Sequence, residues 1–194
     1  MASINRLIGL ALATATMLAT PALAQDWQPQ KPVEFVVASG AGGGTDQFAR
    51  IIQSIVQKND LMPVSIVVSN KGGGAGTEAF VDGKLAGNDP HKLVFGTNNE
   101  WLLPMVTKAA YAPGDLQPVA AMAMDEFLLW THADAPYENA ADFVAKAKEG
   151  NMKVGGSQSK DTDQILSKHL EHATGTKFTY IPFKSGGEAA TQLA

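Results

Sequence analysis

The sequence predicts an α/β protein with two domains, each a mainly parallel sheet flanked by helices. Short apolar runs alternate with stretches of helical periodicity, and this order is typical of parallel sheets. A connection marked by proline and glycine, residues 111–118, separates the two halves. Hydrophobic residues make up 45% of the 194 residues, which is enough for a core without disulfides, and the chain contains no cysteine.

The first 24 residues have the layout of a secretory signal peptide. Arg6 is their only charge, a mostly apolar run follows over residues 7–18, and the stretch Ala22-Leu23-Ala24 resembles a cleavage site. The apolar run is too short to span a bilayer, which takes about 20 residues. We therefore expect cleavage between Ala24 and Gln25 and export to the periplasm.

The first domain, expected over residues 25–118, has the order βαβαβ. Its first strand is a continuous apolar run, and its first helix shows apolar residues at helical spacing. Such a run is most simply folded as a parallel sheet with helices on both faces. The predicted elements are strand 33–38, helix 45–58, strand 64–69, a helix ending near residue 85, and strand 92–97.

The second domain is expected over residues 119–194. Two apolar stretches within 119–132 are interpreted as successive strands. The chain stops inside an apparent helix without a closing signal, which suggests a truncated fragment of a longer protein. The remaining predicted elements are helix 139–149, strand 153–156, helix 161–174, strand 177–183 and a helix from residue 186.

The stretch SGAGGGTD, residues 39–46, is the strongest candidate for a ligand contact. It joins a strand to a helix, and the free N–H groups and positive dipole end of a helix start attract anions. Clustered glycines let a ligand approach the backbone, and Thr45 or Asp46 is the expected N-cap. The loop lacks the lysine of a phosphate-binding P-loop, so a carboxylate fits this loop as well as a phosphate does.

Two enzymatic or cofactor-binding alternatives are weaker. Ser157 and Lys160 form an S-x-x-K pattern, and residues 184–186 resemble the K-T-G element of penicillin-binding enzymes, but no S-D-N element lies between them. A secreted serine acyl enzyme that uses Ser157 and Lys160 remains the main alternative. Gly74-x-Gly76-x-x-Ala79 fits a dinucleotide pattern, although three-glycine patterns are common by chance.

Composition argues against other partner classes. The formal net charge is −4 and the basic residues are scattered, which gives no support to nucleic-acid binding. His169 and His172 share one helix face and could hold a metal, but a solvated face is the simpler interpretation. We expect no cofactor, no metal, no catalytic residues and a monomeric protein.

Several short motifs together resemble the extracytoplasmic receptors of tripartite tricarboxylate transporters, also called Bug receptors. The likeness runs in order through nearly all of residues 31–194. One departure is residues 159–163, SKDTD, where the family usually continues with glycine, serine and histidine. The matching positions are Gly42, Gly43, Asp46, Ala49, Arg50, Asn70, Lys71, Gly73, Gly76, Pro118, Val119, Gly156, Ser157, Ile181, Pro182, Phe183, Lys184, Ser185 and Gly186.

The resemblance implies a two-domain periplasmic binding fold that closes on a small carboxylate and serves inner-membrane transporter subunits. In the family, backbone groups and ordered water hold the carboxylate, with few charged side chains. The ligand-binding residues implied here come from three segments. They are Ser39, Gly40, Ala41, Gly42, Gly43, Gly44, Thr45, Asp46, Ser157, Gln158, Ser159, Lys160, Asp161, Lys184, Ser185, Gly186 and Gly187.

Overall fold

The computed structural model describes residues 27–194, so the expected signal peptide lies outside the described residues. The first domain contains a parallel sheet with the strand order β2-β1-β3. Its elements follow the predicted order, with one additional helix, α3. They are β1 Val33–Val37, α1 Gly44–Lys58, β2 Ile66–Asn70, α2 Thr77–Ala86, β3 Lys92–Phe95, α3 Asn99–Val106 and a short 3-10 turn at Pro113–Asp115.

Strand β1 is central and is buried on both faces, as its continuous apolar sequence predicts. Val33, Phe35 and Val37 pack towards α1, and Val36 packs on the other face against Phe80 of α2. Because the side chains of a strand alternate between faces, one strand contributes to both cores. This packing fixes the carboxyl end of β1, where the glycine loop begins.

The second domain contains a separate two-stranded parallel sheet. Its register pairs Met152 with Phe178 and Ser157 with Phe183, so both strands end at the same edge. Phe143 and Ala147, from the helix that precedes these strands, are buried against Phe178 of the second strand. The elements are α4 Ala140–Lys148, β4 Met152–Ser157, α5 Thr162–Thr174, β5 Phe178–Phe183 and α6 Gly186–Leu193.

The prediction of two strands within residues 119–132 is wrong for this structure. The segment takes no strand pairing and forms no hydrogen bond with other described residues over 119–131. Its apolar side chains are largely exposed, with Met124 at 94% and Trp130 at 72%. A strand exists only where a neighbour pairs with its backbone, and residues 27–194 offer none here.

Within residues 27–194, no helix combines the length and the apolar character that crossing a bilayer would require.

Candidate functional site

The glycine loop after β1 touches the turn after β5, and so the two domains meet at their strand ends. The Gly40 N–H donates to the Lys184 carbonyl at 3.3 Å. A Cβ added at Gly43 would lie 2.8 Å from the Ser185 Cβ, which is closer than two such atoms can approach. Glycine at this position therefore permits the contact between the two domains.

Helix α1 begins without a side-chain cap. Its N-cap is Gly43, in an extended conformation, so the expectation of Thr45 or Asp46 at this position is wrong. The first helical hydrogen bond runs from the Gln47 N–H to the Gly43 carbonyl at 2.9 Å. Among the described residues, no acceptor receives the N–H groups of Gly44, Thr45 or Asp46. Unpaired N–H donors at the positive end of a helix dipole are suited to an anion, so this helix start is a candidate anion-binding position.

Asp46 holds the glycine loop in place. Its carboxylate is buried and accepts hydrogen bonds from the Gly42 N–H at 2.8 Å, from Arg50 Nε at 3.0 Å and from Asn70 Nδ2 at 3.0 Å. Burial alone would raise the pKa of Asp46, but the bonds from Arg50, Gly42 and Asn70 outweigh it and lower that pKa below its usual value. Asp46 is therefore an ionised structural group of the loop.

The turn after β4 forms a second wall. Ser157 donates through both N–H and Oγ to the Asp163 carboxylate, at 2.7 and 2.9 Å. Gln158 is buried, has a positive φ of 54°, and donates its N–H to the Phe183 carbonyl at 2.6 Å. A left-handed backbone at a non-glycine residue carries strain, so the surrounding bonds must hold this turn in its shape.

Asp161 caps helix α5 and faces the first domain. It is 7% exposed, and its carboxylate accepts the Thr162 N–H at 2.6 Å. Burial is the main reason why the pKa of Asp161 is raised, and the negative charge of Asp163 adds to the effect.

Two asparagines at the start of α3 belong to the same site and were missed by the sequence analysis. Thr162 Oγ1 donates to Asn98 Oδ1 at 2.8 Å, and Asn99 Nδ2 lies 3.4 Å from Gln158 Oε1. Both asparagines follow the carboxyl end of β3. That position alone could have identified them, because ligands of parallel α/β sheets bind outside the carboxyl ends of the strands.

The turn after β5 completes the contact with the glycine loop. Ser185 is buried and caps α6, where its Oγ accepts the Glu188 N–H at 3.3 Å. A Cβ added at Gly187 would lie 2.8 Å from the Gly42 carbonyl oxygen. The Lys184 contact with the loop is made by its backbone, and its side chain is exposed.

The structure does not bring every predicted residue to the domain contact. Ala41, Ser159 and Lys160 are exposed and form no hydrogen bond with the other domain among the described residues. The Ser157 hydroxyl is occupied by carboxylates, and among the described residues it has no hydrogen bond to Lys160. A serine nucleophile needs a base within reach, so this arrangement gives no support to the acyl-enzyme alternative.

An open groove of about 610 Å³ lies between the end of α3 and α5. His169 and His172 line it and are exposed, as expected for a solvated face. In residues 27–194, no group of three or more metal-ligating side chains comes together. The groove is lined by Val106, Lys160, Gln164, Ile165, Lys168, His169 and His172.

Two α/β domains that meet at the carboxyl ends of parallel strands, around an uncapped helix start, define a solute-binding protein of the two-domain periplasmic kind. The family model described as the tripartite tricarboxylate transporter family receptor, TctC, matches residues 48–194. The chain belongs to this family of solute-binding receptors.

Individual relatives agree with this assignment. A UPF0065 protein of Cupriavidus necator is 30% identical over 191 residues, which cover 95% of this chain and 58% of that protein. A TctC solute-binding protein from Polaromonas, solved without ligand, is 29% identical with a TM-score of 0.56, covering 85% of this chain and 57% of the other. An R. palustris protein solved with adipate shares the fold at 24% identity and a TM-score of 0.73, covering 87% and 57%. The chain thus spans somewhat more than half the length of each.

Proposed function

We propose that this receptor captures a small organic carboxylate in the periplasm and delivers it to a tripartite membrane transporter. Family membership supports the receptor role and the transporter partner. A structural neighbour solved with adipate supports the ligand class. The proposed domains are 25–118 and 119–194, and the protein acts by binding, without a catalytic step.

The observation that carries the proposal is the start of α1. Its N–H groups at Gly44, Thr45 and Asp46 have no acceptor among the described residues. A hydrogen bond to a charged group contributes about 1.5–3 kcal/mol. Micromolar binding requires about 8 kcal/mol, so three such bonds are on the right scale before association costs are subtracted.

Asp46 does not oppose this role. Its charge is taken up by Arg50 and by the Gly42 N–H on the inner side of the loop. The negative charge within the loop is therefore already paired. The N–H groups of Gly44, Thr45 and Asp46 remain available to a ligand. The ligand-binding residues that we propose are those of the three segments 39–46, 157–161 and 184–187.

Export is part of the proposal. The signal features at the N-terminus lead us to propose cleavage between Ala24 and Gln25. Mass spectrometry of the protein purified from the periplasm should find Gln25 as its first residue. Recovery of an intact chain beginning at Met1 from the cytosol would contradict export.

Isothermal titration of the intact receptor against a panel of organic acids tests the function. We expect binding by the wild type and none by Gly43→Val, because the new side chain would collide with Ser185. The matched control is Gly114→Val, since a Cβ at Gly114 meets no atom within 4 Å. Wild-type affinity in a folded Gly43→Val variant would place the carboxylate elsewhere and contradict the proposed site.

A further inference from the structure

The start of α3 reaches from the first domain to the second through a side-chain hydrogen bond. Thr162 Oγ1, at the first position of α5, donates to Asn98 Oδ1 at 2.8 Å. Asn98 is the residue immediately before α3 and is exposed. Because the two side chains come from different domains, this bond exists only while the domains are in contact.

Asn99 makes a second contact beside the first. Its side chain is buried, and its Nδ2 donates to the Ala75 carbonyl at 3.2 Å within the first domain. The same Nδ2 lies 3.4 Å from Gln158 Oε1 in the second domain. Burial raises the pKa of Asp161, and a hydrogen bond from the Asn99 amide works against that rise. One amide group therefore donates to acceptors in both domains.

The two turns that contact Asn99 share an unusual backbone conformation. Ala75 has a φ of 61° and Gln158 has a φ of 54°, both in the left-handed region. A non-glycine residue in this region is strained, and it keeps its conformation only where the surrounding contacts hold it there. The Asn99 side chain thus supports one strained turn in each domain.

The connection between the domains does not fix their relative position. Over residues 119–131 its backbone forms no hydrogen bond with other described residues. The glycine loop adds the bond from the Gly40 N–H to the Lys184 carbonyl, but at 3.3 Å this bond is long. The Thr162–Asn98 bond at 2.8 Å is the shorter of the two.

We propose that Asn98 and Asn99 form a latch that, through Thr162 and Gln158, holds the two domains in contact before a ligand binds. The latch residues are positioning residues, since they act by keeping the binding segments of both domains together. The inference deepens the proposed function, and its effect on ligand binding rests on that function. The apparent affinity of a receptor falls with the fraction of molecules in the form that is competent to bind.

The latch is tested first in the unliganded, intact receptor. The chain contains no cysteine, so Lys58→Cys and Lys148→Cys, at exposed positions in the first and second domains, each accept one spin label. Pulsed electron paramagnetic resonance then measures the distances between the labels. We expect Thr162→Val to move part of the population to a second distance. The ratio of the two forms should change about two- to tenfold, the scale of one neutral hydrogen bond.

Two variants control for the substitution itself. Thr162→Ser keeps the hydroxyl and should retain the wild-type distance distribution. Thr179→Val makes the same replacement at an exposed position of β5 and should also leave the distribution unchanged. An unchanged distribution in Thr162→Val, or an equal change in Thr179→Val, would overturn the latch.

Double-mutant cycles test whether the residues act as pairs. Once Asn98→Ala has removed the acceptor, Thr162→Val should change the population ratio no further. A second cycle combines Asn99→Ala with Gln158→Ala and should show the same lack of additivity. Thermal melting shows that each variant is folded. Fully additive effects in both cycles would contradict the proposed contacts.

The ligand arm uses adipate and malate, the acids with which two structural neighbours were solved. In calorimetric titrations, the affinity of each variant should fall in the same ratio as the fraction of molecules with the domains in contact. Wild-type affinity in a variant whose domains have separated would overturn the positioning role. If neither acid nor any other of the panel binds the wild type, the carboxylate function fails, and the label distances still decide the latch.

Discussion

Asp46 and Asp161 occupy comparable places in the two domains and have opposite surroundings. Each is a buried carboxyl group close to the start of a helix that follows a strand. Asp46 receives three hydrogen bonds, one of them from Arg50, and its pKa is lowered despite burial. Asp161 has no basic partner among the described residues, and burial raises its pKa. The first carboxylate completes its own loop, whereas the second carboxylate carries a charge that burial makes costly.

The largest effect should come from removing the paired carboxylate. Asp46→Ala leaves the Gly42 N–H and the Arg50 guanidinium without their acceptor. We expect a loss of about 2–4 kcal/mol in the free energy of unfolding, measured with urea at pH 7. The exposed Asp134→Ala serves as the control and should change stability by less than about 0.5 kcal/mol. Equal losses in the two variants would show that Asp46 is not a structural group.

The pH dependence should separate the paired carboxylate from an ordinary one. The pKa of Asp46 is lowered in the folded state, so its stabilising effect is complete above the ordinary value of 3.8 and is lost as pH falls through the folded pKa. The stability difference between wild type and Asp46→Asn should therefore be constant from pH 7 to about pH 5 and shrink below about pH 4. A difference that grows on acidification would contradict this assignment.

Asp161→Asn should have a smaller effect of the opposite sign. The pKa of Asp161 is raised in the folded state, so its ionisation costs stability at neutral pH, and that cost disappears as pH falls below its ordinary value of 3.8. In the unliganded receptor we expect the variant to be more stable at pH 7, by an amount on the order of 1 kcal/mol. Calorimetry at pH 7 and pH 3.5 measures the difference, and destabilisation at pH 7 would mean that an unseen donor already pairs the charge.

The smallest effect on ligand binding should come from the support beneath Asn99. The Tyr111 hydroxyl donates to the backbone carbonyls of Asn99 and Glu100 at 3.3 and 3.2 Å, and burial raises its pKa to about 12. Tyr111→Phe removes a neutral hydrogen bond and should cost about 0.5–1.5 kcal/mol of stability. Ligand titration should change no more than about threefold, because the Asn99 side chain keeps its Ala75 contact. A loss of binding of about tenfold or more would make Tyr111 part of the ligand site.

The sequence allowed the prediction of most elements because their signals are local. The apolar run of β1 and the helical spacing of Ile51, Ile52 and Ile55 in α1 depend only on neighbouring residues. The glycine loop was predicted for the same reason. The glycine N-cap, Gly43, was not predicted, because an oxygen-bearing residue near a helix start is usually the cap, and here Asp46 is engaged by Arg50 instead.

The remaining features depend on partners distant in sequence. Helix α3 was missed because it is only eight residues long and contains Pro104, which is unfavourable in the interior of a helix. The contact of Asn99 with Gln158 joins residues 59 positions apart, and no local pattern signals it. The strands expected within 119–132 did not form. An apolar local pattern predicts a strand, but it does not supply the neighbouring strand with which the backbone must pair.

The segment 119–131, whose backbone is unpaired among residues 27–194, has a consequence for aggregation. An extended apolar chain with free N–H and C=O groups is a template for pairing with another molecule. Its apolar residues are interrupted at the centre by Asp125 and Glu126. If two copies paired across this segment, these charges would be brought together without counterions, which opposes association. The acidic pair is therefore placed to oppose pairing of a second copy with Met124, Leu128 and Trp130, which are exposed among the described residues.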